Sequence, residues 1–177
     1  VASIAAIGGE MVTVFGEFPV FETDTYTFIA DYLPHASSDA MEHRNSAVLT
    51  SNGRLDSPGQ LEQMLGAVSH EFFHVWNVER IRPRSLEPFD FTDANLSPAL
   101  WLAEGFTNYY GKLVMKRAGL TTLRRTLETF GATLDVVIAS PGRRLNSAVD
   151  MSYLAPFTDA ATAIDPTNFG NTFVSYY

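Results

Sequence analysis

The chain has 177 residues, enough for one domain with a sizeable core, and its 12% aromatic content argues against a disordered chain. Twelve Lys and Arg against 20 Asp and Glu give a net charge of −8 with no basic stripe, which argues against nucleic acid as a partner. With no cysteine, disulfides, thiolate nucleophiles and Cys-ligated zinc are excluded together.

The apolar opening VASIAAIGGEMVTVF lacks a basic lead and is interrupted by Glu10, so it does not read as a signal peptide. No apolar run reaches the length of a membrane span. The compartment, cytoplasmic or periplasmic, stays open. The first third reads as strands: MVTVF (11–15), TYTFIADYL (25–33) with Tyr26, Phe28, Ala30 and Tyr32 on one face, and SAVLTS (46–51). PHASSDAMEHR (34–44) reads as the loop before the last of these.

From Ser57 the period becomes helical. Ser57-Pro58-Gly59-Gln60 has the form of a capping box, and Leu61, Met64, Leu65, Val68, Phe72, Val75 and Trp76 recur at helical spacing. A second helix is expected from SPALW, capped by Ser97, running through Trp101, Leu102, Phe106, Tyr109 and Leu113 to a stop at Gly119. A third is expected over 122–139, ended by SPG (140–142), with another opening in NTFVSYY (171–177). Strands followed by helices define an α+β class, with a β-rich part at 1–56 and a helical part at 57–177.

The chemistry concentrates in His70-Glu71-Phe72-Phe73-His74. Two histidines four apart on a helix project one above the other, nearly opposite the apolar stripe. Glu71 lies to their side, where it can reach a water without taking the metal. This is the zinc metallopeptidase arrangement, in which three protein ligands leave a fourth position to water. The third ligand is sought among His35, His43 and Glu104. Glu104 is preferred because Trp101, Leu102 and Phe106 surround it in sequence, and a buried carboxylate is costly unless paired or metal-bound. Asn108 is a candidate to orient a ligand.

HEFFHVWNVERIRP, PFDF (88–91), LWLAEGFTNYYGKL, DAMEHRNSAVLTS (39–51) and the terminal SYY together resemble the glycyl aminopeptidase family of gluzincin zinc metallopeptidases, over about residues 13–177. The 29 residues between His74 and Glu104 carry much of that likeness. The resemblance implies a thermolysin-like catalytic domain, commonly followed by a PDZ domain, and a Zn2+ ion held by His70, His74 and Glu104. Glu71 is then the general base. Ala40-Met41-Glu42 lines the substrate cleft, with Glu42 holding the free N-terminus of a peptide. Tyr177 donates to the oxyanion, ahead of Tyr176 and the core-facing Tyr109 and Tyr110. Asp39 and Ala40 depart from the Gly-rich start of the related loop, and Arg80 and Arg82 are expected to anchor the turn after the zinc helix through ion pairs. The chain is expected to be a fragment, since the residues that follow Tyr177 in relatives are absent, and to turn over poorly alone. The expected activity is aminopeptidase action on small first residues, Gly or Ala. The rivals are another gluzincin hydrolase, such as an endopeptidase, and a catalytically silent metal-binding fragment. No membrane insertion is expected, and the oligomeric state is left open.

Overall fold

The structure, a computed structural model, describes residues 1–157 and 175–177. Contacts divide the chain into two units, Val1–Ile81 with Tyr109–Thr126, and Arg82–Asn108 with Leu127–Tyr177.

The first unit opens with helix α1 (Ala2–Phe15), closed by Gly16 in the left-handed region at φ 90°. MVTVF, expected to be a strand, is the end of this helix. Its β-branched residues favour a strand only in isolation. In context Ile4, Ile7, Met11 and Val14 form one apolar face, and Ile7 and Met11 are fully buried. Phe15 stacks on Trp76 at 4.5 Å. Residues 1–56 therefore hold the sheet and a 14-residue helix as well.

The sheet has three strands: β1 (Thr27–Tyr32), β2 (Asp39–His43) and β3 (Ser46–Ser51), in the order β1-β3-β2. β1 runs parallel to β3, with Thr27 opposite Ser46, and β2 runs antiparallel to it, with Glu42 opposite Ala47. The segment expected to be a loop thus contains a strand. Its alternation is short, and its pairing with β3 is what makes it a strand. On β2, Ala40 and Glu42 are half-buried while Asp39, Met41 and His43 are exposed.

Helix α2 (Pro58–Phe73) follows. Ser57 occupies the N-cap without a side-chain bond, so the expected capping box does not form. Gln60 reaches instead over Gly53, where an added Cβ would collide with its Oε1. The helix ends at Phe73 with His74 as its C-cap, three residues before Trp76, the last residue of the expected apolar period. Leu65, Val68, Phe72 and Phe73 bury their side chains with Ile7, Met11 and Leu49. Helices α3 (Phe106–Arg117) and α4 (Leu123–Ala139) each have residues in both units, and Val114 and Met115 of α3 join this core.

In the second unit a π-helical turn, Trp101–Gly105, leads into α3. The stripe expected to be buried is displaced. Trp101 and Phe106 are substantially exposed, and Ala103 and Thr107 are buried instead. One-residue displacement is what an inserted π turn produces. On α4, Leu127, Leu134 and Ile138 stay exposed. Helix α5 (Ala148–Tyr153), not foreseen, carries a complete capping box between Ser147 and Asp150. Tyr176 packs with Met151, Leu100 and Ala155. Of the helix expected in NTFVSYY, residues 171–174 lie outside the described residues, and 175–177 carry no helix. No helix among the described residues is long and apolar enough to cross a membrane.

Candidate metal centre and substrate cleft

The end of α2 places the two histidines. His74, the C-cap, is 1% exposed, and His70 is half-buried one turn earlier. The rings meet edge to face with 4.8 Å between centroids, and Nε2 of His74 is 3.1 Å from Nε2 of His70. Nδ1 of His74 is 2.9 Å from the Asn77 carbonyl oxygen. A carbonyl only accepts, so Nδ1 carries the proton and the ring presents the lone pair of Nε2 toward His70.

The Asn77 carbonyl is aimed by a tight turn over residues 75–81. Amides of Val75, Trp76 and Asn77 bond to Phe72 and Phe73 carbonyls, and Ile81 N–H closes onto Trp76 O at 2.7 Å. Val78 holds a φ of 138°, a conformation that β-branched residues rarely adopt. Arg80 donates to the Val75 carbonyl and lies over the Phe21 ring at 6.0 Å, and among the described residues these contacts, not an ion pair, anchor the turn. Arg82, in the second unit, pairs with Glu87 at 3.4 Å.

Beside His74 lie Glu71, 5% exposed, and Glu42 of β2. Ligand atoms of Glu42, Glu71 and His74 all fall within 4.8 Å of one another. Arg44 does not take Glu42 as an ion partner; it pairs with Glu22 at 2.9 Å. Ala40 faces the same side as Glu42, while Met41 is 59% exposed. His35 and His43 are exposed and belong to neither donor set below. Tyr26, unmarked in the sequence, donates to the Ser46 carbonyl at 2.9 Å. Burial first, then the charges of Glu71, Glu42 and Glu79, push its phenol above its ordinary range, so it forms a neutral wall.

Helix α3 supports the histidines from behind. Ser69, fully buried, donates to the Gly111 carbonyl at 2.9 Å. A Cβ on Gly111 would sit 3.4 Å from the His70 backbone, so the two helices approach closely there. Tyr110 stacks on Phe73 at 5.3 Å, whereas Tyr109, expected to face the core, is 50% exposed.

In the second unit Glu104 sits on the π turn, half-buried, beside buried Ala103. A Cβ on Gly105 would lie 3.1 Å from the Tyr176 carbonyl oxygen and 3.6 Å from the Tyr177 carbonyl carbon. The last two residues thus run against the turn that carries Glu104. Tyr177 is 44% exposed and stacks on Tyr176 at 5.2 Å. Asn108 is half-buried. Among the described residues, two sets have the composition of a cation site: His70, His74 and Glu104, and Glu42, Glu71 and His74. Sequence reasoning missed Ser69, Asn77 and Gly111. A Ser one residue before His70 and a Gly facing it on the next helix are weak marks, and a backbone carbonyl leaves none.

An α+β domain carrying His-Glu-x-x-His on the helix that follows its sheet has the architecture of a gluzincin-type catalytic domain. The profile of the M61 glycyl aminopeptidases matches residues 63–177, and the chain belongs to that family. It is also similar to the crystal structure of an aminopeptidase N family protein from Idiomarina loihiensis, with 27% identity and a TM-score of 0.86. That likeness covers 99% of this chain and 30% of the other, so the chain spans less than a third of that relative's length. No curated protein sequence matches it.

Proposed function

We propose that this chain carries the catalytic centre of a zinc-dependent aminopeptidase that removes small N-terminal residues, Gly or Ala, from peptides. The observation that carries the reading is the Asn77 carbonyl on His74 Nδ1, which leaves Nε2 facing Nε2 of His70 at 3.1 Å beside the buried Glu71. Two imidazoles, that of His74 with its tautomer set by the Asn77 carbonyl, fit a borderline-soft divalent cation, and a carboxylate completes the set. His70, His74 and Glu104 would hold the ion. The support for Glu104 is its donor chemistry and its place on the turn that leads into α3. That helix carries Gly111, and with the two histidines Glu104 has the composition of a cation site among the described residues.

When bound, zinc supplies an electrophile that acidifies water and polarises the scissile carbonyl. Glu71 takes the proton of the attacking water and hands it to the leaving amine nitrogen. Glu42, with Ala40 and Met41 on the same strand, receives the substrate. Its carboxylate binds the α-ammonium, favoured by the negative field of Glu42, Glu71 and Glu79 around Tyr26. Tyr177, whose backbone runs along the turn of Glu104, donates to the oxyanion of the tetrahedral intermediate.

The test compares zinc-loaded protein on Ala-initiated peptides with free and with acetylated N-termini. The free peptides are expected to lose their first residue and the acetylated ones to resist. Equal cleavage of both points to the endopeptidase reading, and no cleavage of either, with zinc bound, to a silent metal-binding module.

A further inference from the structure

A cavity of ≈ 210 Å³ opens between β2, β3 and the first turns of α2. Its walls include apolar Leu49, Met64 and Ala67, and Gln63 and Asp39 also line it. Asp39 is the one charged residue among those lining it. The cavity aligns with the cleft already described. Ala67 precedes Glu71 by four residues on α2, and Ala40, also lining it, precedes Glu42 by two on β2 and shares its face. It therefore lies about one helical turn, or two strand residues, from the Glu42–Glu71 pair, roughly 6–7 Å.

The strand fixes which part of a peptide reaches it. β2 is the outer strand of the sheet. The Ala40 amide is met by the Asp39 side chain at 2.9 Å, and the Thr50 hydroxyl of β3 donates to the Asp39 carbonyl. These contacts place the backbone groups of Asp39 toward β3 and those of Ala40 and Glu42 toward the outer edge. Beyond His43 the chain turns into β3, so the edge ends there. A peptide whose N-terminus sits at Glu42 and which follows this edge must run toward Asp39. Two extended residues span about 7 Å, which brings the second residue, the one after the scissile bond, to the cavity.

We propose that this cavity selects the side chain of the second substrate residue, and that it takes a long one with a cationic end, Lys or Arg. The aliphatic stem lies on Leu49, Met64 and Ala67, and the cation turns at the outer edge of β2, where the Ala40 amide holds the Asp39 carboxylate. One oxygen of that carboxylate already accepts from Ala40, and the other remains to receive the ligand. The inference rests on the reading of Glu42 as the clamp for the N-terminus.

The test is equilibrium binding to metal-stripped protein, where no turnover intervenes. The probes are C-terminally fluorescein-labelled Ala-Lys-Ala and Ala-Glu-Ala, read by anisotropy at low salt. The Lys peptide is expected to bind about fivefold tighter than the Glu peptide. Asp39→Asn is expected to bring the two together, and Asp39→Lys to reverse their order. In Glu42→Gln both peptides weaken while the Lys preference persists. Equal affinities in the wild type, a preference untouched by Asp39→Asn, or no binding of either peptide overturns the proposal. If Glu42→Gln weakens neither peptide while Asp39 still governs the choice, the clamp reading fails and the pocket assignment stands.

Discussion

Val78 offers a sharp test of the turn that orients His74. At φ 138° its backbone lies where non-glycine residues cost of order 1–3 kcal/mol, and its side chain is half-buried. Val78→Ala removes two half-buried carbons, about 0.8 kcal/mol, and keeps most of the strain. Val78→Gly removes three, about 1.2 kcal/mol, and adds about 0.7 kcal/mol of unfolded-state entropy. It also releases about 2 kcal/mol of strain. Glycine is therefore expected to be near wild type, and about 1 kcal/mol more stable than alanine, the reverse of the order at an unstrained site. Urea denaturation of the three proteins, compared at constant m-value, reads this directly. If alanine proves as stable as glycine or more so, the turn is not strained.

Other consequences follow from the same geometry. Glu71→Gln is expected to lower kcat by about 10²–10⁴-fold while zinc content, measured by elemental analysis, is unchanged. Ser69→Ala removes a buried bond between α2 and α3 and is expected to cost about 1 kcal/mol in chemical denaturation. Asp150 is held below the usual carboxylate range by the Ser147 backbone N–H and then its hydroxyl. Its folded pKa lies under its unfolded one, so its stabilisation is present above the unfolded value and lost as pH falls through the folded one. The stability gap between wild type and Asp150→Asn is expected to shrink on acidification, and a gap that does not change with pH contradicts this capping role.

What the sequence disclosed was local. The His70–His74 spacing and the apolar period of α2 lie within one window of residues, as does the alternation of β1 and β3. The last five residues of α1 read as a strand until Ile4, Ile7 and Met11 are placed on one face with Val14. In sequence β2 reads as a loop because only pairing with β3, a tertiary fact, makes it a strand. The burial expected around Glu104 came from large neighbours in sequence. The π turn instead leaves Trp101 and Phe106 substantially exposed and buries Ala103. The acceptor that fixes His74 is a carbonyl, common to every residue type, and only the turn through Val78 singles out Asn77. α5 did carry a legible mark, Ser147 three residues before Asp150.

The claim at the centre is that His70, His74 and Glu104 hold one zinc ion and leave Glu71 free for the proton. Competitive zinc titration of wild type, Glu104→Gln, Glu71→Gln and Glu42→Gln tests it most directly. One ion per chain is expected, with affinity falling about a hundredfold or more in Glu104→Gln and little changed in the other two. Affinity retained in Glu104→Gln and lost in Glu71→Gln and Glu42→Gln would assign the cation to Glu42, Glu71 and His74 and contradict the account.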